Sequence, residues 1–346
     1  MNTFFFEKLN QRIVAAALVA LMLFFLVSCS GQGKDPYERF PIGAQPAYGV
    51  RTTDISTISP ILEETAGSGF IDNNYDTFIE GEVGICNSSY EIPEHLLKTL
   101  LDTMDEYKFV TGFYVIDLET RMSIGLHVDK YFSAASTAKT GYALYLAKAL
   151  SEGKFKLNDV LEYREEHFCE GSGSTQYSEY GTLFTLKALF YRMLYNSDNI
   201  AYYMLSDYTG VDGVNELYAS LDIEARLSRR DRWCEFSPRD LAKLWMEIYN
   251  FKDTCEEGKL LWKYLTTNLF NEFNEAMPEY KDNGSAHKSG WNWYGYHESG
   301  IVRGKRDYIC VVMTETGNKN NCLHRTIRNL DNIMNDYDQW LKNQEA

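Results

Sequence analysis

The sequence predicts an α+β fold, in which an antiparallel sheet is formed from N-terminal and C-terminal segments and flanked by helices, with an all-helical block between. Three observations lead to this prediction. Strand-like apolar runs occur early in the chain and again near its end, runs with helical spacing fill the stretch between them, and a further helical run follows the last strand. With 346 residues, of which 45% are hydrophobic, the chain can bury a sizeable core.

The first predicted elements are a helix and a hairpin. Apolar side chains recur at helical spacing over residues 95–107. Residues 109–116 then form an apolar run typical of a strand, residues 117–121 form a turn, and residues 122–128 form a second strand. These strands supply the N-terminal part of the expected sheet.

The central part of the chain is predicted to be helical, and strands return near the end. Helical spacing predicts helices over residues 140–151, 183–194, 200–205, 214–221, 238–249 and 260–270. Three strands and a last helix are predicted over residues 286–291, 300–303, 308–314 and 327–341. Cys310 lies in the last of these strands and is expected to be a small core residue.

The N-terminus has the layout of a secretory signal. Lys8 and Arg12 precede an almost entirely apolar run over residues 13–27, and small residues lead to Cys29. This ending resembles a bacterial lipobox, which implies cleavage before Cys29 and a diacylglyceryl anchor on its sulfur. The alternative is an uncleaved anchor helix. In both cases we expect the rest of the chain to lie outside the cytoplasm, attached to the bacterial cell membrane.

Charge and cysteine content limit the classes of partner and cofactor that the protein is expected to bind. The net charge of −15, without a run of Lys or Arg, argues against nucleic-acid binding, because a phosphate backbone needs cationic partners. Six cysteines follow Cys29, and their pairing stays open. Since no Cys/His cluster has the spacing of metal ligands, we expect no metal and no cofactor.

Ser136 and Lys139 form a Ser-x-x-Lys pair just before the helix predicted over residues 140–151. Residues three apart on a helix lie on the same face. A serine hydroxyl is a weak nucleophile until a base removes its proton, and a neutral lysine amine can act as that base where burial or a nearby cation lowers its pKa. Because the same spacing also occurs where a serine merely begins a helix, the pair alone assigns no function.

Two further motifs follow in order. Residues Ser197–Asn199 read Ser-Asp-Asn at a predicted helix junction, and Lys288–Gly290 read Lys-Ser-Gly on a predicted strand. With Ser-x-x-Lys, they form the motif set of class A β-lactamases and penicillin-binding proteins. Over roughly residues 95–342, the chain therefore resembles the penicillin-interacting serine hydrolases, closest to the class A β-lactamase group. Ser289 stands where the family motif has threonine, and both residues supply a hydroxyl.

The resemblance implies a serine β-lactamase/DD-peptidase-like fold and a catalytic role for each motif. Ser136 would be the acylated nucleophile, and Lys139 its general base or one member of a proton relay. Ser197 would carry the proton to the leaving nitrogen, and Asn199 would hold Lys139 or the substrate amide. No step in this scheme needs a metal or a cofactor.

The third motif is expected to bind substrate. By resemblance, Lys288 would bind the substrate carboxylate and help keep the base neutral, and Ser289 would hydrogen-bond the same carboxylate. Gly290 completes the motif. The backbone N–H groups of Ser136 and Trp291 would form the oxyanion hole. The aromatic residues at 291, 293, 294 and 296 either line the substrate cleft or cover the sheet edge.

The chain departs from the family pattern at two places. Class A β-lactamases carry a glutamate between the second and third motifs, which activates the deacylating water. In this chain the corresponding loop is short, Cys234 stands at that place, and Glu235 is displaced by one residue. Either Glu235 still reaches the water, or it is a surface carboxylate and deacylation is slow or uses another route. The frequent family arginine near Ser299 is also missing; Arg303 either shares that strand face or belongs to a turn.

The resemblance implies a serine hydrolase that acts on cyclic or peptide amides, is acylated by β-lactams or related acyl amides, and is deacylated by water. Two alternatives stay open: a D-Ala-D-Ala carboxypeptidase or transpeptidase acting on peptidoglycan, and a non-turnover cell-wall or β-lactam binding or sensor lipoprotein. The expected organisation is a signal peptide over residues 1–29, a tether and N-terminal extension over 30–92, and a β-lactamase-like catalytic domain over 93–346.

Overall fold

A computed structural model describes residues 76–317 and 321–345 of the chain. Its main sheet has six antiparallel strands in the order β1-β3-β2-β10-β9-β8, and two further pairs, β4 with β7 and β5 with β6, form small ribbons. In chain order the strands are β1 Gly84–Cys86, β2 Thr111–Asp117, β3 Ser123–Leu126, β4 Phe132–Ser133, β5 Val160–Glu162, β6 Leu183–Thr185, β7 Glu235–Phe236, β8 Ala286–Trp291, β9 Tyr296–Arg303 and β10 Asp307–Thr314.

The α-helices of the described residues form a central block and a terminal pair. They are α1 Glu94–Met104, α2 Ala138–Ser151, α3 Leu186–Tyr195, α4 Asn199–Thr209, α5 Asp212–Ser220, α6 Pro238–Phe251, α7 Glu256–Leu265, α8 Glu272–Ala276 and α9 Cys322–Glu345. Helices α1 and α9 pack on each other, α9 also packs on β10, and α6 packs on β2, β9 and β10. The sheet therefore has helices on both faces.

The central pair of strands, β2 and β10, joins the two ends of the folded chain. Val115 lies opposite Cys310, and Tyr114 lies opposite Val311. Because both faces of the sheet are covered, every residue of β2 is buried, and alternate side chains enter different cores. Val115 contributes to the core beneath α1 and α9, whereas Tyr114 contributes to the core of the helical block.

The predicted α+β architecture is confirmed, including the hairpin of β2 and β3, the strand at β8 and the buried position of Cys310. The helix predicted over residues 95–107 ends at Met104, and a 3-10 helix, Asp105–Val110, follows it and takes up the first two residues of the strand predicted from 109. Two further helix predictions extended too far. Residues 183–185 form β6, paired with β5, and α3 begins only at Leu186, where Thr185 accepts a hydrogen bond from the Ala188 N–H. The helix predicted to reach residue 270 ends at Leu265. In both cases apolar loop or strand residues extended the helical pattern.

The predicted signal, Cys29 and most of the tether lie outside the described residues. Within the extension, β1 pairs with β3, where Ile85 faces Ile124, and the Phe78 ring contacts the Tyr114 ring edge-on at 5.7 Å. Residues before 93 thus add to the folded body, while the domain limits themselves stay a prediction. Among residues 76–317 and 321–345, no helix has the length and apolar character needed to cross a membrane.

The cysteines of the described region are free thiols. They are Cys86, Cys169, Cys234, Cys255, Cys310 and Cys322.

Candidate active site

Ser136 lies in a single 3-10 turn, Ala135–Thr137, that leads directly into α2. Strand β4 holds the start of this turn, because Phe132 pairs with Phe236 and the Ala134 N–H donates to the carbonyl of Cys234 at 2.9 Å. Ala135 has a positive φ of 46°, a conformation that is uncommon for a residue with a side chain. Such backbone strain is concentrated at functional sites. Here the strained residue is the one that immediately precedes Ser136, the nucleophile candidate.

Lys139 lies one turn along from Ser136 and has no solvent exposure. Its Nζ is 3.1 Å from the Ser136 Oγ, 3.2 Å from the Ser197 Oγ, 2.5 Å from the Ser197 carbonyl oxygen and 2.7 Å from the Asn199 Oδ1. The first two motifs, far apart in the sequence, therefore meet at one amine. All four partners are uncharged oxygen atoms, and no carboxylate in the described part of the chain is among them.

The environment of Lys139 favours the neutral amine. Burial, followed by the positive charge of Lys288, holds the pKa of Lys139 well below its usual range, and the more weakly acting Asp198 opposes this shift. A neutral lysine carries a lone pair, so it can accept the Ser136 proton. The geometry and the protonation state thus agree with a nucleophile beside its base.

The second motif is held by a loop that the sequence did not assign to the site. Asp198 caps α4 by accepting the Ala201 N–H through Oδ1, and its Oδ2 accepts both the N–H and the hydroxyl of Thr175. The Asn199 amide donates to the carbonyl of Glu170 at 2.8 Å, and the Ser172 hydroxyl donates to the carbonyl of Ser197 at 2.7 Å. Residues 170–175 thereby fix the groups that surround Lys139.

The glycines of this loop are the feature of the sequence that could have assigned it to the site. Gly173 has a φ of +117°, and a Cβ there would lie 2.3 Å from the Asp198 Cγ. Since such an approach excludes any side chain, the Gly-Ser-Gly-Ser run over residues 171–174 is explained by packing against the second motif.

The third motif reaches the site from strand β8. The Lys288 Nζ donates to the Ser197 Oγ at 3.0 Å, so that hydroxyl lies between two lysine amines. Burial lowers the pKa of Lys288 to about 8, although Glu298 and Glu272 attract its charge. At Gly290 the strand comes close to the nucleophile turn: a Cβ would lie 2.9 Å from the Ser136 nitrogen and 2.7 Å from the Thr137 nitrogen. The absence of a side chain at 290 is what permits this approach.

Ser289 faces a buried carboxylate. Its Oγ is 2.8 Å from the Glu298 Oε2 and 3.1 Å from the Phe270 carbonyl oxygen, and Glu298 lies opposite it on β9. Arg303 is the last residue of β9, where it lies opposite Asp307 on β10 and forms an ion pair with it at 2.8 Å, so it is a strand residue and not part of the turn. Next to Ser299, near which the resemblance suggested an arginine, the strand presents Glu298, a residue that the sequence did not single out.

Glu235 is exposed on β7, opposite Ser133. Over the described residues, neither a hydrogen bond nor an ion pair joins it to Ser136 or Lys139. Trp233 instead lies beside the base, with its ring centre 5.4 Å from the Lys139 Nζ. The proposal that Glu235 activates the deacylating water stays a prediction, and this geometry lends it no support.

Aromatic side chains line a cavity of about 450 Å³ next to the third motif. Trp291, Trp293 and Tyr296 from the β8–β9 hairpin contribute to its wall, together with Phe270, whose ring meets Trp291 edge-on at 5.0 Å. Three of the four aromatic residues therefore line an open cleft, and substrate binding there stays a prediction.

Comparisons with known proteins agree with this arrangement. A family model described as the beta-lactamase enzyme family matches residues 95–337. No curated protein sequence matches the chain.

Several solved structures share the fold. A mutant of PBP-A, determined as its acyl-enzyme with penicillin G, is 20% identical, with 69% of this chain and 97% of that chain covered and a TM-score of 0.62. A β-lactamase from Sphaerobacter thermophilus is 20% identical, covering 70% of this chain and 96% of that one, with a TM-score of 0.62. An ancestral class A β-lactamase is 18% identical, with 70% and 99% covered and a TM-score of 0.60.

Proposed function

Since the chain belongs to the β-lactamase enzyme family, whose members are serine hydrolases acting on amides, we propose that Ser136 is acylated by β-lactams or related acyl amides. The observation that carries this proposal is the 3.1 Å contact between the Ser136 Oγ and the buried Lys139 Nζ. Burial and the Lys288 charge keep that amine available as a base.

Acylation follows from the positions of three side chains. The neutral Lys139 takes the proton of Ser136 as its Oγ attacks the carbonyl carbon, and the carbonyl electron pair moves onto oxygen near the Ser136 N–H. When the carbonyl re-forms, the carbon–nitrogen bond breaks, and the Ser197 hydroxyl gives its proton to the leaving nitrogen. The Ser197 oxygen is 3.2 Å from the Lys139 Nζ and can recover the proton from it. The backbone N–H of Trp291 is the second proposed oxyanion donor, and such a donor contributes about 3 kcal/mol.

Intact-protein mass spectrometry tests this function directly. The protein is incubated with penicillin G and, separately, with a neutral activated acyl ester. One acyl group per chain, located on Ser136 by peptide mapping, is expected with at least one of the two reagents. An absence of adduct with both would overturn the proposed function.

A second candidate differs in the release step. Because the oxygens around Lys139 are all uncharged and Trp233 lies against the amine, we propose that water attacks the acyl-enzyme slowly. The chain would then act as a penicillin-binding carboxypeptidase or transpeptidase, or as a non-turnover binding protein. Hydrolysis of a chromogenic cephalosporin separates the cases: a burst of one equivalent supports slow release, whereas sustained turnover supports a β-lactamase.

The variant Glu235→Gln is expected to release the acyl group at the rate of the wild type, within about twofold, because among the described residues no hydrogen bond or ion pair links the exposed Glu235 side chain to Ser136 or Lys139. Decay of the acyl-enzyme, followed by mass spectrometry, is the measurement. Glu216→Gln, on the exposed surface of α5, serves as the matched control. A loss of about 100-fold confined to Glu235→Gln would show that Glu235 acts as the general base.

We further propose that the protein works outside the cytoplasm and is held at the bacterial membrane by a lipid on Cys29. Only the sequence supports this location, through the apolar run over residues 13–27 and the cysteine that ends it. In cells, Cys29→Ala is expected to lose metabolically incorporated fatty acid. Retention of labelled fatty acid by that variant would contradict the anchor at Cys29.

A further inference from the structure

A buried glutamate lies directly beside the third motif. Glu298 has no solvent exposure, and its Oε2 accepts from the Ser289 Oγ at 2.8 Å and from the Glu272 N–H at 3.0 Å. Its Oε1 accepts from the Ser299 N–H at 3.1 Å, and the Nδ1 of the buried His287 is 3.6 Å from Oε2. Glu298 is therefore held in a fixed position beside the Ser289 hydroxyl.

The groups that would bind a substrate carboxylate are already occupied by the protein. The one proton of the Ser289 hydroxyl is directed to acceptors on Glu298 and on the Phe270 backbone. The Lys288 amine donates to Ser197 and to the Ser289 carbonyl, and its positive charge is attracted by Glu298 and Glu272. A free carboxylate entering this subsite would have to displace these bonds and would meet a like charge.

The adjoining cavity is also better suited to an uncharged group than to a carboxylate. Its wall is largely aromatic, and Glu272 is the one carboxylic acid among the described residues that line it. The Glu272 Oε2 is 2.7 Å from the His324 Nε2, so this carboxyl group also has its hydrogen-bond partner within the protein. A neutral apolar group suits such a wall, because it buries area without needing a counter-charge.

We propose that Glu298 determines specificity, so that the protein takes acyl donors whose group beside Ser289 is uncharged, an amide or an ester, rather than a free acid. This inference rests on the proposed acylation of Ser136 and names the substrate class of that site. The mechanism is electrostatic exclusion: Glu298 repels a second carboxylate and keeps the Ser289 hydroxyl engaged. Glu298 is thus a positioning residue and does not touch the reacting atoms.

The wild-type protein provides the first test. Second-order acylation rates of Ser136 are measured with penicillin G and with its methyl ester, each divided by the rate of alkaline hydrolysis of the same compound. We expect the ester to be favoured by about tenfold, as repulsion between nearby like charges requires. A free acid that reacts faster than its ester would overturn the proposal, and this test does not depend on the folding of a variant.

The variant Glu298→Gln provides the second test, since it removes the charge while keeping the shape and the acceptor oxygen. It is expected to raise the acylation rate of the free acid about tenfold and to leave that of the ester unchanged within about twofold. Glu275→Gln, an exposed residue on the nearby α8, is the matched control and is expected to change neither rate. Equal changes in both rates with Glu298→Gln would contradict a role in specificity.

The outcomes separate this inference from the proposed function. If neither the acid nor the ester acylates Ser136, the function itself fails. If both acylate Ser136 and the acid is preferred, the function stands and the role of Glu298 is wrong.

Discussion

Replacing Ser136 by alanine is expected to abolish acyl-enzyme formation, with a loss of about a million-fold in rate, down to the uncatalysed background. The reason is geometric: the Ser136 Oγ is the hydroxyl 3.1 Å from the Lys139 amine at the start of α2, and removal of that oxygen leaves no atom to carry the acyl group. Intact-protein mass spectrometry with penicillin G or a neutral activated ester measures the effect.

Ser151→Ala is the matched control for this variant. Ser151 ends the same helix, α2, is exposed, and donates its hydroxyl to the Lys148 carbonyl. We expect it to acylate at the wild-type rate. An adduct that forms on Ser136→Ala at an undiminished rate would assign the nucleophile to another residue, with Ser197 the nearest hydroxyl to Lys139 after Ser136.

The substitution Lys139→Met is expected to lower the acylation rate about 1,000-fold while the protein still folds, because general-base catalysis contributes in this range. Methionine is unbranched, like lysine, and suits a site without solvent exposure. The measurement is the single-turnover acylation rate, with Lys154→Met, an exposed lysine, as the control. A variant that kept more than about a tenth of the rate would show that the base lies elsewhere.

The pH dependence of the acylation rate shows whether Lys139→Met has lost the base or has only lost packing. In the wild type, acylation should rise as Lys139 loses its proton, at a pH well below the usual range for lysine. It should fall again near pH 8, the value to which burial lowers the pKa of Lys288, because the lost positive charge no longer stabilises the negative charge that develops on the substrate in the transition state. In Lys139→Met the acid limb should disappear and the alkaline limb should remain. Retention of the acid limb would assign it to a different group.

The parts of the site that the sequence predicted are those carried by local spacing. Ser136 and Lys139 are three residues apart on one turn, and the strand predicted for residues 286–291 is observed as β8. Residues Ser197–Asn199 lie between α3 and α4, as expected. The order of the three motifs along the chain identified the family, and the family resemblance predicted that these residues meet in one site.

The parts of the site and of the fold that the sequence did not predict depend on contacts between distant segments or on very short strands. Glu298 lies opposite Ser289 through the register of β8 and β9, and a shift of one residue would turn it to the other face. The ribbon of β5 and β6 has three residues in each strand, too short for a periodic signal. Trp233 contacts Lys139 across the fold, and nothing in the residues around Trp233 indicates that partner.

The pairing of β2 with β10 also bears on the order in which the protein acquires its chemistry. Val115 and Cys310 are separated by most of the folded chain, and pairings of such long range form slowly. Strand β8, which carries Lys288, joins the sheet through β9 and β10. Until those strands have been synthesised and have docked, Lys139 lacks the neighbouring charge of Lys288, which is one of the two causes that hold its pKa down. The Ser136–Lys139 pair therefore reaches its full reactivity only after the C-terminal strands have joined the sheet.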